Sequence, residues 1–315
     1  MILDSKLEDL FINVSSRAAL SSYYLVGKKD KIAADKAAVD TMRNELNKID
    51  MKGQIVIGEG ELDEAPMLFI GEKLGTNKGP SLDIAVDPLE GTNFAANNLP
   101  GALSVIAIAN KSNLFNAPET YMEKISANVN ENDVIDLDYS IKKNISNLAE
   151  YKNSTPENLT ACILDRPRHK KIIDELNRLK VNLKLITDGD VSGALLVTDE
   201  KHKVDIFLGI GGGPEGVLAA SALDAYNCHF QGRFIFETEK DKSRAKSMGI
   251  NDFNKKYHLK DIISGDSIFC ATGITSGDLV SGIKISKDEF ESETLITHKS
   301  TGLKKIIKTK QKISF

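Results

Sequence analysis

Apolar positions recur at helical spacing over residues 7–20 and again over residues 31–49, the second stretch rich in Ala with Lys and Asp on its other sides. Two amphipathic helices joined by residues 23–30 are predicted there. The period then shortens. Residues 54–57 form an apolar, β-branched run that stops at Gly58, and residues 81–87 form another; both are read as strands. Unbroken apolar character over residues 102–109 predicts a strand buried on both faces. Residues 116–123 read as a loop. Residues 128–157 are polar, Asn-rich and weakly periodic, with residues 133–139 too acidic for a strand. Beyond Pro156 a strand, helix, strand rhythm appears over residues 159–164, 169–179 and 183–186. A strand over 205–210, a glycine-rich turn, a helix over 217–225 and a late strand over 267–271 follow. The pattern predicts an α/β (α+β) chain of two sub-domains, residues 1–155 and 156–315.

Composition changes this picture little. With 41% hydrophobic and 27% charged residues in 315, the chain is ordinary for a folded protein. No apolar run approaches the roughly 20 residues that cross a bilayer. Acids at Asp4, Glu8 and Asp9 stand where a secretory leader would be basic, so a cytoplasmic protein with no membrane partner is expected. The net charge of −4 gives no attraction to nucleic acid, and the Lys-rich residues 299–312, interleaved with apolar ones, read as a solvated strand face. Cys162, Cys228 and Cys270 lack metal-site spacing and read as reduced, buried small hydrophobes.

Candidate chemistry gathers at strand ends. Residues 81–92 read Ser-Leu-Asp-Ile-Ala-Val-Asp-Pro-Leu-Glu-Gly-Thr, an apolar strand that Asp87 closes and Pro88 turns, with Glu90, Gly91 and Thr92 beyond. Hard cations such as Mg²⁺ and Mn²⁺ prefer carboxylate oxygens. Glu59, Glu61, Asp63 and Glu64 repel one another unless a cation relieves them; the bland reading is an exposed acidic loop before a helix over residues 67–74. Asp35 has no neighbour that marks it as a ligand. The glycine-rich residues 209–216 lie between strand and helix, where backbone N–H groups receive phosphate, yet match neither nucleotide fingerprint. Glu215 there is either a ligand or a partner of the helix dipole. Arg166 and Arg168 project from a strand end and suit phosphate, or else pair with Asp165. Asp188-Gly189-Asp190 is a sugar-hydroxyl acceptor or a plain turn.

Taken together these strings resemble class II fructose-1,6-bisphosphatase of the bacterial type. Residues 57–68, 86–92, 116–124, 166–169, 188–190, 209–216 and 271–275 occur in that family's order over most of the chain. The family is similar to the wider lithium-sensitive, metal-dependent sugar and inositol phosphatases, although Glu90 stands where that group has Asp. The resemblance implies a layered αβαβα sandwich with an N-terminal catalytic and a C-terminal sugar-phosphate-binding half. It implies Asp35, Glu59, Asp87, Glu90 and Glu215 as ligands of Mg²⁺ or Mn²⁺, and Asp63 with Thr92 as the pair that orients and deprotonates water. The implied substrate contacts are Glu90, Gly91, Thr92 and Tyr121, then Arg166, Pro167 and Arg168, then Asp188, Gly189, Asp190 and Gly212. Lys31, near Asp35, is a further candidate. The implied reaction removes the 1-phosphate of fructose 1,6-bisphosphate, in a homo-oligomer (dimer or tetramer). Sedoheptulose 1,7-bisphosphate is the alternative substrate, and a nucleotide- or sugar-phosphate-binding regulator the alternative class.

Overall fold

The computed structural model describes residues 2–58, 67–131 and 133–313. In chain order its strands are β1 (Lys52–Ile57), β2 (Lys73–Leu74), β3 (Ser81–Glu90), β4 (Leu103–Asn110), β5 (Tyr121–Ala127), β6 (Thr160–Leu164) and β7 (Asn182–Ile186), then β8 (Ile206–Gly212), β9 (His229–Ile235), β10 (Tyr257–His258), β11 (Ser267–Gly273), β12 (Lys284–Ser286), β13 (Glu289–His298) and β14 (Leu303–Lys312). Its helices are α1 (Lys6–Tyr23), α2 (Lys31–Leu46), α3 (Thr92–Ala96), α4 (Ile141–Tyr151), α5 (Lys170–Arg178), α6 (Asp190–Leu195), α7 (Gly213–Tyr226), α8 (Glu239–Ser247) and α9 (Leu259–Ile262). The expected α/β class holds: strands form two mixed sheets, each backed by helices.

The chain divides into two compact units, Met1–Phe115 with Ile263–Phe315, and Asn116–Ile262. The boundary expected near Pro156 falls inside the second unit. Its cause is strand pairing: β5 lies before that point yet hydrogen-bonds along its whole length to β8 and β9 beyond it. The polar stretch before Pro156 also conceals α4, whose Ile145, Leu148 and Ala149 supply a narrow apolar stripe.

In the first unit the sheet runs β12-β13-β11-β4-β3-β1-β2, with β14 on the other side of β13. Helices α1 and α2 cover it through Phe11, Ile12, Ala34, Ala38 and Met42, packed against Ile84, Ile106 and Cys270. Hydroxyls reinforce this contact: Ser15 Oγ lies 2.8 Å from Thr272 Oγ1, which lies 2.6 Å from Thr294 Oγ1. Residues 67–72 are not helical, against the helix considered there. Ile55 N–H donates to Glu72 O, and β2 pairs antiparallel with β1 instead. The Lys-rich C-terminal stretch is β14, as expected, with Lys308 and Lys310 reaching Glu293 and Glu289 at 2.9 and 2.8 Å.

In the second unit the order is β10-β9-β5-β8-β6-β7, with β6 parallel to both β7 and β8. Alternation along the strands sorts the faces. Ile125 and Ala127 of β5 and Ile206 and Leu208 of β8 pack with α4 and α5, while Met122, Lys124 and Phe207 point towards α6 and α7. All three cysteines are buried, and none of them forms a disulfide.

Candidate active site

The first unit carries the acids flanking Pro88. Strand β3 does not close at Asp87; it pairs with β4 up to Glu90, with a register shift between Asp87 and Glu90. Pro88 occupies that bulge, where its missing N–H costs no ladder bond. The bulge brings Glu90 into the interior, 4% exposed, and leaves Asp87 half-buried. Gly91 then turns the chain with φ +77°, and a Cβ on it would stand 2.8 Å from the Phe94 ring. Thr92 opens α3 directly after it. Asp35 lies half-buried within α2, which packs on both β3 and α3. The entry to α2 is tied to α3, because Gly27 N–H and Lys29 N–H donate to Ala95 O and Ala96 O, each at 2.9 Å. Lys31 is exposed at the first position of α2.

Glu59 and Asp63 lie outside the described residues. The strand that precedes them pairs Ile57 with Ala85, two residues before Asp87. Among the described residues no three His, Cys, Asp or Glu come together as a metal-holding group. The donors that remain are hard carboxylate oxygens on packed elements, suited in kind to Mg²⁺ or Mn²⁺ but incomplete as a set.

The second unit gathers the other candidates. Tyr121 begins β5 with 45% of its surface exposed, and the Arg168 guanidinium lies 4.9 Å over its ring. Arg168 Nε–H donates to Ile210 O at 2.9 Å. Pro167 fixes φ at the head of the short turn carrying both arginines. Neither Arg166 nor Arg168 has a carboxylate within ion-pair distance among the described residues, so the pairing with Asp165 is not made. Two cationic forks two residues apart, one of them over an aromatic face, suit an anion.

The glycine run is strand rather than loop. β8 extends to Gly212 and α7 starts at Gly213, which corrects the turn expected over residues 211–216. The reason lies in the side chains stacked on it: a Cβ on Gly211 would fall 2.1 Å from Asp190 Oδ2, and one on Gly212 would fall 1.8 Å from Glu215 Oε2. Asp188 accepts from Gly189 N–H at 3.2 Å; Gly189, at φ +82°, leads into α6, where Asp190 is buried. Burial pushes the Glu215 carboxyl up, with the charges of Asp190 and Asp188 adding and that of Lys124 opposing.

Two residues here had no role in the sequence reading. His169 is fully buried, its Nδ1 2.6 Å from Leu164 O and its Nε2 2.7 Å from Ile210 N. Burial lowers its pKa, so the ring is neutral, Nδ1–H donating and Nε2 accepting. It thereby bridges β6 and β8 where their backbone pairing has ended. Lys124, in mid-β5, is 2% exposed and bonds Asp190 and Gly212 O. Each stood in a quoted string; a Lys on the inward side of a strand was the available signal.

The family described as "Bacterial fructose-1,6-bisphosphatase, glpX-encoded" matches residues 5–311. A protein of Prochlorococcus marinus named D-fructose 1,6-bisphosphatase class 2/sedoheptulose 1,7-bisphosphatase is 38% identical over 308 residues, covering 93% of this chain and 92% of its own. One of the same name from Trichodesmium erythraeum is 38% identical over 310 residues, covering 90% of each. Among solved structures, an inositol monophosphatase from Anabaena (Nostoc) aligns over 61% of this chain and 72% of its own, with 15% identity and a TM-score of 0.31.

Proposed function

This chain belongs to the bacterial fructose-1,6-bisphosphatase family, a family of phosphoric monoester hydrolases, and we propose that it removes the 1-phosphate of fructose 1,6-bisphosphate, leaving fructose 6-phosphate. Sedoheptulose 1,7-bisphosphate, in the printed names of its relatives, is the second substrate of this reading. The observation that carries a bisphosphate is the pair Arg166 and Arg168, lacking carboxylate partners among the described residues, with Arg168 set over Tyr121. Guanidiniums placed to hold the phosphate that is not cleaved add binding energy that a monophosphate forgoes. The nucleotide-binding reading loses its feature, since Gly209 to Gly212 are paired strand against β5.

Phosphate monoesters need up to about 10²¹-fold acceleration, and acid–base catalysis supplies only about 10²- to 10⁴-fold, so fixed charge carries most of the burden. When bound, Mg²⁺ or Mn²⁺ would supply Lewis acidity and a more acidic water. In this reading Asp35, Glu59, Asp87, Glu90 and Glu215 hold it. Thr92, on the first turn of α3, aims the attacking water, and Asp63 takes its proton. Glu90, Gly91 and Thr92 line the cleaved phosphate, while Asp188, Gly189, Asp190 and Gly212 line the sugar. A cytoplasmic homo-oligomer completes the reading; no helix among the described residues is long and apolar enough to cross a membrane.

Phosphate release from fructose 1,6-bisphosphate tests this directly. Activity should require Mg²⁺ or Mn²⁺, vanish with chelator, and drop at least about 100-fold in Asp87→Ala. Turnover that survives both treatments overturns the metal assignment.

A further inference from the structure

Lys124 is a cation placed where a strand would normally bury an apolar side chain. Its position in β5 faces Gly209 on β8 and Gly232 on β9, so both cross-strand neighbours lack side chains. Above it, a Cβ on Gly216 of α7 would come within 3.3 Å of Lys124 Cδ. Gly216 thus leaves room for the aliphatic stem, while His169 and Met122 occupy the space at Gly209 and Gly232, and the ammonium emerges against Asp190 Oδ2 and, at 2.7 Å, the Gly212 carbonyl.

Burying an ammonium is expensive unless charge and hydrogen bonds compensate, and an apolar residue of similar size would serve stability as well or better. The compensation here comes from groups at one end of the sheet. Asp190 and Asp188 act on the buried Glu215 as like charges, and Lys124 opposes them. It grips Asp190 from α6 and the Gly212 carbonyl from the end of β8, so one side chain fixes the spacing of two elements that line the sugar in the reading above.

We infer that Lys124 is a positioning residue for sugar recognition: it clamps the Asp190 carboxylate and the Gly212 carbonyl in one arrangement and acts on substrate through Asp190. This rests on the proposed bisphosphatase reading. Lys124 acts through Asp190, so its loss should fall more heavily on a sugar bisphosphate than on a substrate without a sugar.

The test is a double-mutant cycle in the full-length protein: Lys124→Met, Asp190→Asn and the two combined, each assayed on fructose 1,6-bisphosphate and on p-nitrophenyl phosphate. Removing one partner of a buried charge pair should raise the KM for the bisphosphate about tenfold or more in each single variant. The kcat/KM for p-nitrophenyl phosphate should fall by a clearly smaller factor than that for the bisphosphate, and the double variant should be no worse than the poorer single one. If Lys124→Met does not fold, the double variant, which removes both members of the Lys124–Asp190 pair, still compares with Asp190→Asn. Equal losses on both substrates, or losses that multiply in the double variant, overturn the inference. A wild-type protein inactive on the bisphosphate overturns the parent reading instead, and this inference with it.

Discussion

Arg168 is held by its Nε–H to Ile210 O and by the face of Tyr121, and its fork has no carboxylate within ion-pair distance among the described residues. Fixing a guanidinium in advance reduces the rotamer entropy lost on binding, which distinguishes this arginine from a mobile surface cation. Arg168→Ala should therefore lower kcat/KM for fructose 1,6-bisphosphate by about 10- to 100-fold, at 1.5–3 kcal/mol for a charged hydrogen bond, and cost much less on p-nitrophenyl phosphate. Parallel kinetics on the two esters check this, and equal losses would contradict a role at the uncleaved phosphate. Asp136 shows the same logic applied to stability. Burial works against its charge, but bonds from Lys256, Gln231 and the Asp138 N–H outweigh it and hold its pKa down to about 2. A folded pKa below the unfolded one means that this stability is complete above about pH 5 and is lost as pH falls towards 2, a change on the order of 2 kcal/mol. Urea denaturation at pH 7 and pH 3 should show about half of that change from Asp136, so the stability lost between the two pH values should be smaller by about 1 kcal/mol in Asp136→Asn.

At the scale of elements, the strand β8 and the helix α7 meet without a loop because the glycines between them make room for side chains from elsewhere. Gly212 is the tightest case, with Glu215 from the first turn of α7 folded back over it. Gly212→Ala should displace that carboxylate and cost about 1–3 kcal/mol in overpacking, together with most of the bisphosphatase activity. Thermal unfolding and kinetics read the two effects separately, and a fully active, equally stable variant would show that the contact is dispensable. The bulge in β3 works in a similar way. It lets a strand pass through Pro88 and still pair at Glu90, so that Asp87 and Glu90 leave one strand at a fixed separation before Gly91 turns into α3.

At the scale of the molecule, the first unit is closed by groups that lie far apart in sequence. Asp266 accepts from Leu3 N–H at 2.8 Å and from Ser300 N–H and Oγ–H at 2.9 and 2.8 Å, and lies 3.0 Å from His298 Nε2. The other ring nitrogen of His298 is 2.5 Å from Glu8 of α1. Burial alone would raise the Asp266 pKa; these bonds reverse that and lower it. Asp266→Ala would leave several buried groups unpaired at once, and we expect it to destabilise the protein by about 3–5 kcal/mol, measured by urea denaturation. The sequence by itself determined what short-range periodicity and residue chemistry determine: α1, α2, the buried strands β4 and β6, the helix α5, the reduced buried cysteines, and the strings at Asp87, Arg166 and Asp188 that identify the family. Only tertiary structure decided that β5 belongs with β8 and β9, that the glycine run is strand, and that Lys124 and His169 stand among the candidate site residues. Pairing partners and the side chains stacked over a strand are set by contacts between residues distant in the chain, and no local pattern encodes which distant group will arrive.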